Sequence, residues 1–166
     1  MRTLLIASGV ALAAQMSIAV AEDAKTKEAA PAVEKKEADV KVTIEGNDTL
    51  KFDKTEFSAK EGQTVELTFK NVGKLPKIAM GHNLVIIKAG TEAMSFSASC
   101  AANKDTTGLP TDTEALKNVI ASTKVLGPDE SETITFTAPA AGEYPYICTF
   151  PGHAAIMKGV MKVEAK

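Results

Sequence analysis

Tryptophan is absent from this chain, arginine occurs once, at Arg2, and cysteine and histidine occur only twice each. Each scarcity closes off a class of function. With 19 Lys and Arg set against 21 Asp and Glu, no basic surface is rich enough to hold a nucleic acid. Two histidines leave none spare to act as a general base, and no nucleophile motif accompanies them, so an enzymatic reading finds little support. Two cysteines cannot build a multiply bridged scaffold. Without tryptophan, any core must be made from six Phe, two Tyr and aliphatic residues.

Long apolar runs are equally scarce. The one that exists, Thr3 to Ala21, follows Met1-Arg2 and ends in Ala19-Val20-Ala21, a small-x-small cleavage pattern. It is about the minimum length of a membrane helix and is interrupted by Ser8, Gln15 and Ser17. Residues 1–21 are therefore read as a cleaved secretory signal, with an uncleaved anchor as the alternative. The mature chain is expected in the periplasm, with no membrane span. Residues 22–38 are mostly Ala, Lys and Glu with one Pro and no aromatic residue, a composition that cannot bury enough surface to order itself. They read as a flexible tether ahead of one domain, residues 39–166.

That domain is patterned for strands. Val40, Val42 and Ile44 alternate with Lys41 and Thr43, and Val65, Leu67 and Phe69 alternate with Thr64, Glu66 and Thr68. Leu84 to Ile87 is uniformly apolar, as a central strand is. Val119 to Leu126, Thr133 to Thr137, Tyr144 to Cys148 and Ile156 to Val163 complete the predicted set. Thr91 to Leu116 breaks the pattern, with a helix-leaning stretch from Thr91 to Lys104 and a capping box at Thr111 and Glu114. The expected fold is all-β, a Greek-key β-sandwich with a helical flap insertion.

The rare residues gather near the C-terminus, in Cys148-Thr149-Phe150-Pro151-Gly152-His153 followed by Met157. Pro151 and Gly152 force a turn that brings Cys148 and His153 toward one point. The other histidine stands far upstream in Gly81-His82-Asn83. Two cysteines in an exported chain suggest a Cys100–Cys148 disulfide, but that leaves the His and Met spacing to coincidence. One Cys, two His and a Met are the ligand set of a blue-copper site, in which two imidazoles and a thiolate bind in a plane below a weak axial thioether. His82, Cys148, His153 and Met157 are thus the candidate ligands of one copper ion. Zinc accepts the same N/S donors. Cys100 is then an odd thiol, expected to be buried on the flap, and Met80, Met94 and Met161 are expected in the core.

Met80-Gly81-His82-Asn83 and Cys148 to Gly159 resemble the azurins, blue-copper proteins of the cupredoxin family. The likeness extends over about residues 40–166, through Ile44-Glu45-Gly46-Asn47-Asp48, Leu75-Pro76-Lys77 and Thr123-Lys124-Val125-Leu126-Gly127. The resemblance implies a weak axial contact from the Gly81 carbonyl and bracing of the ligand loops by Asn83 and Thr149. It also implies an apolar docking patch around the outer histidine, made by Leu75, Met80, Phe150, Pro151, Ala155 and Ile156. This chain departs from azurins in lacking their disulfide, in carrying Leu84 where many have a Trp, and in carrying Asn71 where some have a non-ligand His. Those departures point toward a divergent, auracyanin-like member. The expected function is one-electron transport between redox proteins by a monomer. The alternative is copper delivery or storage, although such proteins favour open sites rich in Met and His.

Overall fold

The computed structural model describes residues 37–166, so the signal reading and nearly all of the tether lie outside the described residues. The alternating segments form strands as their period dictates. In β1 (Val40–Asn47) and β4 (Thr64–Asn71) the apolar side chains face one way, with Ile44, Val65, Leu67 and Phe69 fully buried. The two strands pair in parallel, Val42 opposite Leu67, and β7 (Ser131–Thr137) pairs antiparallel with β4, Leu67 opposite Ile134. A two-residue strand, β2 (Lys51–Phe52), closes the other edge, giving the order β2-β1-β4-β7.

The second sheet runs β3-β9-β8-β5-β6. It contains β3 (Glu56–Lys60), β5 (Val85–Ile87), β6 (Val119–Ser122), β8 (Gly142–Ile147) and β9 (Lys158–Glu164). β3 and β9 are parallel and the other pairs antiparallel. Two mixed sheets thus make the expected sandwich. Its aromatic centre takes over the space-filling role that tryptophan cannot play here. Phe52 packs edge-on to Phe69 with ring centroids 5.8 Å apart, and Tyr146 lies 5.4 Å from Phe52 and 5.7 Å from Phe57. Burying each such ring stabilises the fold by about 1.5–3 kcal/mol.

The solid apolar run at β5 has a structural cause. Leu84 and Ile86 face the main core, while Val85 and Ile87 face a second one with Phe96, Cys100, Ile147 and Ala154. That second core is the contact of the flap, whose helix α2 (Ala93–Ser99) follows a short helix, α1 (Lys77–Met80), in chain order. Glu92 caps α2, accepting from the N–H groups of Met94 and Ser95.

Several expectations need correction. A last short helix, α3 (Thr113–Leu116), is capped by Asp112 rather than Thr111, because the Asp112 carboxylate reaches the N–H groups of Glu114 and Ala115. β6 stops at Ser122 instead of Leu126, and the backbone beyond turns to bridge His82. β2 and β3 were not expected, being short and flanked by Lys and Glu. Met161 is buried, whereas Met94 is 49% exposed and Met80 half-buried. No helix among the described residues is long and apolar enough to cross a membrane.

Candidate metal centre

His82 follows α1 on a segment that leaves no room for error. Its N–H donates to the Leu126 carbonyl (3.1 Å) and its carbonyl accepts from the Leu126 N–H (2.7 Å), an isolated antiparallel bridge. A side chain at Gly81 would put its Cβ 2.6 Å from Val125 Cγ1 and 2.8 Å from the Lys77 carbonyl, so only glycine fits before this histidine. Cys148 comes directly after β8, and its N–H donates to the carbonyl of Met157 (3.0 Å). Between them the chain reverses through Gly152 at φ 85°, and the His153 N–H closes the turn on the Phe150 carbonyl (3.0 Å). The Met157 N–H returns to the His153 carbonyl (2.8 Å), and the Met157 methyl lies over Gly46.

These segments bring three rare side chains together. One donor atom each of His82, Cys148 and His153 lie within 4.8 Å of one another, and all three residues are buried. Cys148 Sγ is 3.5 Å from Nδ1 of His153 and 3.9 Å from Nδ1 of His82. An ion about 2.0–2.3 Å from three donors in a plane would separate neighbouring donors by about 3.5–4.0 Å. The donor set and spacing therefore fit one copper of the blue type. Met157, the expected thioether, is fully buried at the end of the same loop.

Asn83 and Thr149 tie the two ligand segments to each other. The Asn83 side chain donates to Thr149 Oγ1 (2.8 Å) and accepts from the Thr149 N–H (2.8 Å), and the Thr149 hydroxyl donates to the Gly108 carbonyl. Both residues are completely buried. Sequence reasoning missed Gly108, whose φ of +63° and contact with the Asn83 and Thr149 side chains demand glycine. Its one sequence signal was the Gly-Leu-Pro turn composition. It also missed Asn71, which donates to the Leu126 carbonyl (3.0 Å), and Thr123, which accepts from the Leu84 N–H (3.0 Å).

Burial sets the protonation of the cluster. It pushes the Cys148 thiol up to about 12, against an opposing pull from the N–H groups of Asn83 and Phe150. Burial, then the neighbouring His82, pushes His153 down to about 4. Burial also lowers His82, with the charge of Asp48 acting the other way. Two neutral imidazoles thus offer lone pairs at neutral pH, and the thiol must lose its proton to become a ligand.

The Cys100–Cys148 disulfide is ruled out: both thiols are free and buried, and Cys100 Sγ donates to the Phe96 carbonyl (3.2 Å). Of the expected patch residues, Leu75 is 46% and Ile156 58% exposed, Pro151 and Ala155 are exposed, and Met80 is half-buried. Phe150 lies beneath the surface rather than on it, its ring 4.8 Å from that of His153. Ile78 on α1, absent from the expected set, is 69% exposed.

The family model for copper-binding proteins of the plastocyanin/azurin family matches residues 38–164. Azurin-1 of Alcaligenes xylosoxydans xylosoxydans is 41% identical over 130 residues, 76% of this chain and 98% of that protein. Auracyanin-A of Chloroflexus aurantiacus is 40% identical over 128 residues, 74% of this chain and 75% of that protein. Among solved structures, the dithionite-reduced auracyanin of Roseiflexus castenholzii superposes with a TM-score of 0.67 at 41% identity, covering 77% of this chain and 99% of its own. With that fold, that donor set and these relatives, the chain belongs to the copper-binding plastocyanin/azurin family, and its centre is that of a blue-copper electron carrier.

Proposed function

We propose that the protein is an exported, periplasmic, monomeric one-electron carrier whose single copper would be held by His82, Cys148 and His153, with Met157 and the Gly81 carbonyl as weaker further donors. The observation that carries this reading is the buried convergence of His82, Cys148 and His153. When bound, the copper supplies a Cu(I)/Cu(II) couple. The chain's part is to hold its donors still. The Asn83–Thr149 pair and the His82–Leu126 bridge hold the segments that carry His82 and Cys148, so little needs to move as charge changes.

The outer end of the site is suited to meeting partners. His153 retains 5% exposure where His82 has none, and the exposed Leu75, Pro151, Ala155 and Ile156, with Met80 at their edge and Phe150 below, offer an apolar face. Such a face desolvates readily and releases again, as transient redox partners require. Adding Cu(II) to the purified chain should produce an intense visible thiolate-to-copper band, bleached by a reductant and restored by an oxidant. A protein that binds copper without this band would instead be a delivery or storage protein.

A further inference from the structure

We propose that Asp48 positions His82 for the metal by accepting its Nε2–H on Oδ1 through one bridging water, an assignment that rests on the reading of His82 as a ligand. Among the described residues, two buried side-chain atoms have no hydrogen-bond partner: Nε2 of His82 and Oδ1 of Asp48. One complements the other. With Nδ1 turned toward Cys148 and committed to the metal, Nε2 carries the ring proton and is a donor, while a carboxylate oxygen can only accept.

The surrounding framework places both atoms on the same few residues. Asp48 Oδ2 is engaged, accepting from the Lys74 N–H (2.7 Å), which leaves Oδ1 turned inward over Gly73. Asn71 Oδ1 accepts from the Gly73 N–H (2.9 Å) and stands over the same Cα. The Asn71 amide then donates to the Leu126 carbonyl, the atom that also receives the His82 N–H. Asp48 and His82 thus meet the same Asn71 framework. Metal-ligating histidines commonly donate their second N–H to a carboxylate or carbonyl, which fixes the tautomer and makes the ligating nitrogen a better donor. A stronger donor favours Cu(II) over Cu(I). Asp48 contacts no copper in this scheme and acts through His82.

The experiment compares the full chain with Asp48→Ala and Asp48→Asn, all loaded with Cu(I) so that the histidine rings can be followed by NMR. In the parent, metal binding shifts the His82 ring resonances and Nε2–H exchanges slowly with solvent. Asp48→Ala should speed that exchange and weaken Cu(II) binding by about 10- to 100-fold. Each tenfold loss confined to Cu(II) raises the reduction potential by about 59 mV. Asp48→Asn, the milder replacement, has one amide oxygen for two donors and should show the same directions even if the alanine variant fails to fold. Unchanged Nε2–H exchange and potential, with only a lowered thermal midpoint, would make Asp48 merely a brace for Lys74 and overturn the proposal. A parent that binds copper without moving the His82 resonances would overturn the ligand assignment and this proposal together. A parent with His82 ligated and blue, but variants with unaltered exchange, would overturn this proposal alone.

Discussion

The two histidines of this protein occupy contrasting settings a few ångströms apart. His82 is pinned from behind: its backbone bridges Leu126, Gly81 leaves no slack, and its neighbour Asn83 grips Thr149 by two hydrogen bonds. His153 sits on a tight turn and a single 3-10 turn, His153–Ala155, with the tilted Phe150 ring packed against it and exposed Pro151, Ala155 and Ile156 around it. Identical side chains therefore serve different ends. On the proposed function, the His82 wall gives the site its rigidity, and the His153 wall gives it an approach from outside. A metal centre in a small carrier needs both, because fixed donors keep reorganisation low and a thin covering lets an electron leave.

The thiolate joins the two walls, so removing it has the largest expected effect. Cys148→Ser should abolish the visible band while the sandwich remains folded, since its core of Ile44, Leu67, Phe69 and Tyr146 does not depend on the metal. Cys100→Ala should keep the band, because Cys100 belongs to the flap's own core. Absorption and circular dichroism of the two variants check this; a blue Cys148→Ser protein would dismiss the assignment.

Next comes the rigid wall itself. Asn83→Ala would leave the buried Thr149 N–H without its acceptor, at a cost of about 1–3 kcal/mol to the metal-free protein. On the opposite wall, Gly152→Ala meets no neighbouring atom and pays only for holding a left-handed φ, about 1–2 kcal/mol. The sharper distinction lies in the spectrum. Asn83→Ala should perturb the band by loosening both ligand segments, and Gly152→Ala should perturb it mainly through His153. Denaturant midpoints showing Gly152→Ala as the far more damaging change would reverse the roles of the two walls.

How much of this was legible beforehand follows the reach of each interaction. Cys148, Pro151, Gly152, His153 and Met157 fall within ten residues, so their turn could be read locally. The alternation of Val40, Val42 and Ile44 gave β1 for the same reason. β3 escaped because only Phe57 and Ala59 alternate within Glu56–Lys60, too little for a periodic signal. Gly108, Asn71 and Asp48 were invisible as site residues because their roles come from strands and loops meeting in space. The disulfide alternative failed because Cys100 is buried against the far face of β5, among Val85 and Ile87.

Protonation offers a finer probe of the two walls. With the Cys148 thiol at about 12 and His153 at about 4, the metal-free site at neutral pH holds one proton that must leave, the thiol's. Cu(II) uptake should release one proton, so apparent affinity should rise about tenfold per pH unit across the neutral range. Toward pH 4 a second proton, on His153, competes and the dependence should steepen. Competition titrations at several pH values measure the slope. A slope of two near neutrality would mean that a histidine is still protonated there, so that burial does not keep both rings neutral.

The smallest effect on the molecule itself is expected at the outer rim. Ile156 is 58% exposed and directly precedes Met157, so a lysine there should leave core, ligands and potential nearly untouched. It would nevertheless place a charge in the middle of the apolar face. Two Ile156→Lys molecules meeting face to face must bring like charges together and desolvate an ammonium, which costs far more than desolvating an isoleucine. Electron self-exchange, followed by NMR line broadening in mixtures of Cu(I) and Cu(II) protein, should therefore slow. Raising the salt concentration should recover only the part due to charge repulsion, because screening does not remove the desolvation cost. If self-exchange in Ile156→Lys equalled the parent's at high salt, electrons would not be passing through the His153 wall, and the division of labour between the two histidines would fail at its outward half.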